Sequence, residues 1–188
     1  MNILWDFDGT LFDTYPAYTK MFKQVLGDQV NSEKIYEQLK ISFSHAIRFF
    51  NLTEKQIEEM DQLKNNIHPS EMIPFEGVEE VLQFANKNVI MTHKDRKGVM
   101  GILDHYGWVN YFADIVTSDH GFPRKPHTAA YDYLHQNHHI DLAIGDRELD
   151  LIPAKDLGIQ TCIFQNEQIN ADYYLSNYHD FFKVVVEK

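Results

Sequence analysis

Side chains capable of chemistry recur along this chain, at the ends of short apolar segments or in the residues that follow them. In chain order they are Asp6, Asp8, Thr92, Lys125, Asp146 and Asp150. If the apolar segments are parallel strands of one sheet, their carboxyl ends meet at a single edge, where such sheets bind ligands. The spacing therefore predicts one polar site assembled from four successive strands.

The residue types at this predicted site match the needs of phosphoryl transfer: a nucleophile, charge neutralisation and a proton donor for the leaving group. Asp6 can attack phosphorus and form an aspartyl-phosphate. Asp8 can act as general acid and then as base for the hydrolytic water, while Gly9 lets the chain turn close to the site. Thr92 offers a hydroxyl to a phosphoryl oxygen beside backbone N–H groups of the next helix, and Lys125 supplies fixed positive charge.

Several carboxylates that converge in this way repel one another unless a cation joins them. A hard divalent ion with oxygen ligands removes the repulsion, and Mg²⁺ is the expected one. It would hold the phosphate against Asp6 and offset the negative charge of the site.

Alternating strand and helix patterns predict an α/β fold. The predicted strands are short apolar runs of the kind buried on both faces of a sheet, at residues 3–7, 89–92, 114–117, 142–145 and 160–164. The helices between them have apolar residues at i, i+3 and i+4 spacing, and begin near residues 78, 99, 127 and 149. This alternation predicts a parallel sheet with helices on both faces.

The connection between the first two strands is far longer than one crossover needs, because a helix within 77–88 already supplies it. The surplus has helical patterns throughout, including a capping box at Thr53 and Gln56. We therefore predict a core of residues 1–13 and 75–188 and an inserted helical subdomain of residues 14–74. The alternative is that these helices extend the core.

In order and spacing, the motifs resemble those of the haloacid dehalogenase (HAD) superfamily up to about residue 165. The run Asp-Phe-Asp-Gly-Thr-Leu at 6–11 matches the first motif, and Gly-Asp-Arg-Glu-Leu-Asp at 145–150 matches the fourth, Gly-Asp-x-x-x-Asp. Thr92 and Lys125-Pro126 are similar to the second and third motifs. Residues 74–78 resemble the re-entry segment of members with a helical cap.

This resemblance implies a Rossmann-like core with a small helical cap, in the phosphoglycolate phosphatase and β-phosphoglucomutase branch. It also implies Mg²⁺ ligation by the Asp6 carboxylate, the Asp8 backbone carbonyl and Asp146, with Asp150 orienting waters or Lys125 from outside the ligand set. The residues expected to bind phosphate or substrate are Gly9, Thr10, Thr92, His93, Lys125 and Arg48.

Several positions depart from the family pattern or have two readings. Many capped members have Thr-Asn after the second strand where this chain has Thr92-His93, so His93 is expected to face the cap and alter substrate choice. Arg48 is equally suited to meet a substrate carboxylate or sugar and to be a surface residue. Arg147 is predicted to lie on the surface beside the site, and Pro153 to kink the helix after the fourth motif.

The predicted function is magnesium-dependent hydrolysis of a small phosphorylated metabolite, with 2-phosphoglycolate as the leading candidate substrate. The alternative within the superfamily is a sugar phosphomutase, for which the cap shows no clear signature. A dehalogenase is disfavoured because it usually lacks the second aspartate, here Asp8. A catalytically silent binding protein of the same fold is disfavoured by the complete motif set.

Bulk composition narrows the expected partners. The chain has 188 residues, 44% of them hydrophobic, and a formal net charge of −11, so we expect neither nucleic acid nor a membrane surface as partner. We expect no signal peptide and no membrane span, and hence a cytoplasmic protein that is a monomer or a weak homodimer. The single cysteine, Cys162, is predicted to be a buried strand thiol.

Overall fold

The computed structural model describes residues 1–187, and the chain divides into two compact units. Met1–Phe12 and the residues from Pro74 onward form the first unit, and Asp13–Ile73 form the second. These bounds lie close to those predicted for the core and the inserted subdomain. Two short strands, β2 (Phe12–Asp13) and β3 (Ile73–Pro74), lie where the chain passes from one unit to the other.

The first unit is built on a parallel sheet of six strands within residues 1–187. Its strands are β1 (Asn2–Trp5), β4 (Lys87–Met91), β5 (Phe112–Val116), β6 (Leu142–Gly145), β7 (Gln160–Phe164) and β8 (Tyr173–Leu175). They lie in the order β5-β4-β1-β6-β7-β8. The first five agree with the predicted strands to within two residues. The predicted α/β class with a parallel sheet is thereby confirmed.

Strand register explains why the chemically capable residues share one edge of this sheet. In β1, Trp5 pairs with Ile90 of β4 on one side and Ile144 of β6 on the other. The next residue, Asp6, donates its backbone N–H to the carbonyl of Ile144 (2.9 Å). Side chains just beyond each strand therefore emerge next to one another.

Amphipathic helices connect these strands, as their apolar periodicity predicts. They are α5 (Val78–Phe84), α6 (Arg96–Tyr106), α7 (Ala129–His138) and α8 (Glu148–Asp156). Buried side chains from the strands and helices, such as Leu4, Val89 and Leu134, form the core between them. Helix α8 continues through Pro153, so this proline does not end it.

The segment after β7 could not be assigned from its sequence, which allowed a last strand or a helix end at residues 184–186. In the structure the strand lies earlier, at β8, and residues 184–186 belong to a π-helical turn, Phe182–Val186. The ring of Tyr178 stacks on Phe164 at the end of β7, with 4.4 Å between ring centroids. Cys162 is buried in β7 as predicted, and burial raises the pKa of its thiol.

The second unit is helical. Its helices are α1 (Tyr15–Leu26), α2 (Ser32–Ile41), α3 (Phe43–Phe49) and α4 (Glu54–Asn66). Tyr18 and Phe22 of α1 pack edge-on against Phe43 of α3, with ring centroids 5.6 and 5.3 Å apart. The predicted capping box of Thr53 and Gln56 begins α4. Among residues 1–187, no helix is both long enough and apolar enough to span a bilayer.

Candidate active site

Lys125 lies at the centre of the buried part of the site. Its Nζ donates to Oδ1 of Asp6 (2.6 Å) and to Oδ1 of Asp150 (2.7 Å), and all three side chains are at most 2% exposed. The Tyr131 hydroxyl donates to the backbone carbonyl of Asp150 (2.8 Å) and so ties α7 to α8. Such a charge-assisted network fixes the position of Asp6, because buried charges are stable only when paired.

Gly145 in the fourth motif has a steric role. A Cβ at this position would lie 2.3 Å from the Cβ of Asp150, far inside contact distance. The first turn of α8 therefore packs directly on the backbone at the end of β6, and this packing brings Asp150 within reach of Lys125. A residue larger than glycine at position 145 would push Asp150 away from Lys125.

Arg147 was predicted to lie on the surface beside the site; it does lie at the site, but the predicted surface position is wrong. Its side chain is only 19% exposed and lies among three carboxylates: Nε is 3.3 Å from Oδ2 of Asp150 and 3.6 Å from Oδ1 of Asp146, and Nη2 is 3.8 Å from Oδ2 of Asp6. The residue precedes α8, where its backbone N–H also bonds to Asp150 (3.2 Å). The loop conformation that caps α8 turns the guanidinium into the site.

The charges of this cluster shift the pKa values of its members. Burial, together with the nearby Asp150 carboxylate, raises the pKa of Asp6 to about 7, although Lys125 and Arg147 oppose the shift. For Asp150, burial acts in the same upward direction but is outweighed by Arg147 and Lys125, which hold its pKa below the usual range. Burial alone would lower the pKa of Lys125, and the Asp150 and Asp6 carboxylates raise it instead. The lysine is therefore a permanent positive charge.

Asp8 lies in a more open setting and contacts a different lysine. The Nζ of Lys94 is 3.1 Å from Oδ1 of Asp8, with the lysine side chain 4% exposed and the aspartate side chain 23% exposed. Sequence reasoning missed Lys94, because only Thr92 and His93 had been assigned roles in and beside the second motif. A lysine two residues after that threonine was the available signal.

The turn after Asp8 is held from the C-terminal segment. Gly9 has φ of 83°, in the left-handed region that favours glycine, and its N–H donates to the carbonyl of Phe12 (2.8 Å). The Tyr178 hydroxyl donates to the backbone carbonyl of Thr10 (2.8 Å), and both residues are buried. Sequence reasoning missed Tyr178, which is 168 positions from its partner.

Thr92 and His93 organise the loops beside Lys125. The Thr92 hydroxyl accepts a hydrogen bond from the backbone N–H of Lys94 (3.1 Å), and Nε2 of His93 accepts one from the backbone N–H of Lys125 (2.8 Å). Burial and the positive charge of Lys125 lower the pKa of His93 to about 3, so the ring is neutral, with its proton on Nδ1. His93 thus holds the Lys125 loop, and its expected influence on substrate choice stays a prediction.

The donor set of the buried cluster suits a hard divalent cation. Oxygens of Asp6, Asp146 and Asp150 lie within 4.8 Å of one another, and among the described residues none donates a hydrogen bond to the buried Oδ2 of Asp6. The three carboxylates face two cationic side chains, Lys125 and Arg147. The residues present therefore fit a metal such as Mg²⁺, which takes carboxylate oxygens at a site with excess negative charge. Asp150 is the least available of the three, because Lys125 and Arg147 already bind its oxygens.

Arg48 is the one predicted site residue that belongs to the second unit. It lies on α3 with an exposed side chain. Its role in substrate binding stays a prediction.

Comparison with known proteins identifies the family of this chain. Residues 3–164 match the model of the haloacid dehalogenase-like hydrolase family, so the chain belongs to that family.

Individual relatives agree with this assignment. A Clostridium perfringens protein named as the pyrophosphatase PpaX is 24% identical over 177 residues, covering 85% of this chain and 81% of that protein. A phosphoglycolate phosphatase of Vibrio parahaemolyticus is 33% identical over 88 residues, 44% of this chain and 38% of that protein. The solved structure of a hydrolase from Streptococcus pneumoniae TIGR4 has a TM-score of 0.68 and 29% identity, covering 89% of this chain and 94% of that one.

The family and branch predicted from the motifs are thereby confirmed, as is the prediction of an enzyme of the phosphatase type within this family.

Proposed function

We propose that this protein is a magnesium-dependent phosphatase that hydrolyses a small phosphomonoester through an aspartyl-phosphate on Asp6. The observation that carries the proposal is the position of Asp6, a buried carboxylate fixed by Lys125 through one oxygen (2.6 Å), with its other oxygen accepting no hydrogen bond from the described residues. A carboxylate oriented in this way is suited to nucleophilic attack.

In the first step, an oxygen of Asp6 forms a bond to phosphorus while the bond from phosphorus to the leaving oxygen breaks. Lys125 stabilises the negative charge on the transferring group. Asp8 gives its proton to the leaving oxygen, which departs as an alcohol. The Thr92 hydroxyl and nearby backbone N–H groups orient the phosphoryl oxygens.

In the second step, the Asp8 carboxylate takes a proton from water while the water oxygen attacks phosphorus. The bond between Asp6 and phosphorus breaks, its electron pair returns to the Asp6 carboxylate, and inorganic phosphate leaves. Asp8 ends the cycle protonated, ready for the next substrate.

Mg²⁺ would be held by the carboxylates of Asp6 and Asp146 and by the backbone carbonyl of Asp8. When bound, it supplies positive charge that offsets the repulsion between phosphate and the acidic cluster. A cation next to Asp6 also favours the carboxylate over the protonated acid, whose pKa is otherwise about 7.

A small phosphomonoester is the substrate class we propose, and 2-phosphoglycolate is the first compound to test. Relatives include phosphoglycolate phosphatases, and the chain has an inserted helical unit that we propose serves as a cap. Closure of such a cap excludes bulk water from the reaction. Arg48 on α3 is the proposed contact for a substrate carboxylate.

Hydrolysis of p-nitrophenyl phosphate with Mg²⁺, and again with EDTA in excess, tests the reaction class without knowledge of the natural substrate. We expect turnover that depends on Mg²⁺ and that falls by at least about 10³-fold in Asp6→Asn. Mass spectrometry after acid quench should find a phosphoryl adduct on the peptide that contains Asp6.

Asp104→Asn, at an exposed position on α6, is the matched control and should retain full activity. Metal-independent turnover, or full turnover in Asp6→Asn, would refute the proposal. A panel of phosphorylated metabolites then ranks substrates by kcat/KM.

A further inference from the structure

We propose that Lys94 is a positioning residue for Asp8, holding its carboxylate in place as the base that activates water in the second step. The inference rests on the proposed phosphatase function and adds a residue to it. It starts from the ion pair between Lys94 and Asp8, which is separate from the one between Lys125 and Asp6.

Lys94 is unusual because it is a buried lysine outside the Lys125 cluster. Only 6% of the residue is exposed, although lysine is almost never fully buried unless it is paired. Desolvation of an ammonium group is unfavourable unless an opposite charge compensates for it. Asp8, 3.1 Å from Nζ, supplies that charge.

The fold fixes the position of the Lys94 ammonium group through contacts of both its backbone and its side chain. The Lys94 backbone N–H donates to Thr92 Oγ1 (3.1 Å), and its carbonyl accepts from the backbone N–H of Ser118 (3.1 Å). The aliphatic stem passes Gly98, where a Cβ would come within 3.4 Å of Lys94 Cε. The Nζ lies 5.8 Å from the centroid of the Phe7 ring. A residue held in this way can orient its partner.

The pair is suited to the second step more than to the first. Its partner is the carboxylate form of Asp8, the form that accepts a proton from water. The Asp8 side chain is also 23% exposed, so water can reach it. Asp6 already has its own lysine, so Lys94 is not required to fix the nucleophile. The structure therefore assigns Lys94 to hydrolysis of the aspartyl-phosphate.

The test uses p-nitrophenyl phosphate with Lys94→Met, because p-nitrophenolate leaves with little help from an acid and formation of the phosphoenzyme stays fast. We expect kcat to fall about 10- to 100-fold, part of the usual contribution of a general base. KM should fall in parallel, so that kcat/KM changes by less than about 3-fold. Stopped-flow traces should show a burst of p-nitrophenolate approaching one per enzyme molecule.

Other outcomes overturn the inference. A lower kcat with an unchanged KM would indicate only a smaller fraction of active protein. A raised KM with reduced kcat/KM would indicate that Lys94 binds substrate. In an Asp8→Asn background, Lys94→Met should cause no further loss of kcat, and additive losses would contradict the proposal.

Further variants cover the case in which Lys94→Met does not fold. Lys94→Gln should show the same burst, and Lys94→Arg, which keeps the charge, should retain most of kcat; an Arg variant as slow as the Gln variant would count against the proposal. Lys97→Met, at an exposed position on α6, is the control and should behave as wild type.

Failure of the proposed function and failure of this inference give different results. If wild-type enzyme lacks magnesium-dependent turnover or Asp6→Asn retains it, the proposed function fails. If only the Lys94 signature is missing, this inference alone fails.

Discussion

Asp6 and Asp8 lie two residues apart, and each contacts a lysine from a different part of the chain. Asp6 is 2% exposed and lies in a network with Lys125, Arg147 and Asp150. Asp8 keeps 23% of its side-chain surface exposed, and its contact with Lys94 is longer, at 3.1 Å against 2.6 Å.

The difference matches the separate demands of the two proposed roles. A nucleophile gains from being immobilised at the correct distance and angle, since misplacement by about 1 Å can cost 10²-fold in rate. An acid/base group has to exchange protons with a leaving group and then with water, so it needs an accessible face. Two aspartates from one short motif thus reach different environments because the strand ends at Trp5 and the chain turns at Gly9.

The largest effect is expected when the buried ion pair between Asp6 and Lys125 is broken. Lys125→Met removes the buried cation that bonds to both Asp6 and Asp150 and leaves only the more distant Arg147 beside them, which should destabilise the fold by about 3–5 kcal/mol. It should also lower kcat/KM by about 10²–10³-fold. Urea unfolding and p-nitrophenyl phosphate kinetics measure the two effects.

Lys125→Met should differ from Lys94→Met in its kinetic signature. It should reduce kcat/KM and show no burst, because the first step itself is impaired. A preserved kcat/KM in Lys125→Met would contradict the assignment of Lys125 to the nucleophile.

An intermediate effect is expected from Gly145→Ala, which moves Asp150 away from Lys125 without altering any charge. The added Cβ would meet the Cβ of Asp150 at 2.3 Å, and overpacking of this kind typically costs about 1–3 kcal/mol. Thermal unfolding should show a lower Tm, with kcat/KM reduced as well.

Gly101→Ala provides the matched control for this substitution. Gly101 lies in α6 with nothing within 4 Å of an added Cβ, so alanine should stabilise the helix by about 0.5–1 kcal/mol. A Gly145→Ala variant that is as stable and active as wild type would refute the steric role of Gly145.

The smallest effect concerns His93, which supports the Lys125 loop. The pKa of His93 is about 3 in the folded protein, against an ordinary histidine pKa of 6.5. Between these pH values the unfolded chain binds a proton that the folded protein does not, so the free energy of unfolding falls as the pH falls below about 6.5. Because the ring is partly solvent-exposed, we expect a discounted contribution of about 1–2 kcal/mol over this window.

Urea unfolding at a series of pH values between about 3.5 and 7 isolates this contribution by comparison of wild type with His93→Gln. Glutamine can still accept the N–H of Lys125, so the variant should fold and show a flatter pH profile. His105→Gln, on an exposed face of α6, should keep the wild-type slope. An unchanged slope in His93→Gln would show that the ring does not stay neutral in the fold.

The strands and the sheet edge at which the site lies could be predicted from the sequence, because a buried strand is an apolar run with polar residues at its ends. Six site residues could be predicted in the same way: Asp6, Asp8, Thr92, Lys125, Asp146 and Asp150. Parallel strands bring their carboxyl ends together whatever the intervening loops do. That is why Asp6 and Lys125, 119 positions apart, could be placed at one edge before any coordinates.

The orientation of loop and helix-cap side chains depended on the tertiary structure. Arg147 turns inward because it precedes α8 and bonds to Asp150. The loop after β4 is held to its neighbours by backbone hydrogen bonds, so that Lys94 contacts Asp8. In the same loop, His93 accepts a hydrogen bond from the backbone of Lys125. Tyr178 reaches Thr10 from the C-terminal segment. Local sequence carries no periodic signal for such contacts. The types of residue at the site therefore follow from the chain, whereas the pairing of each carboxylate with its own cation is decided by packing.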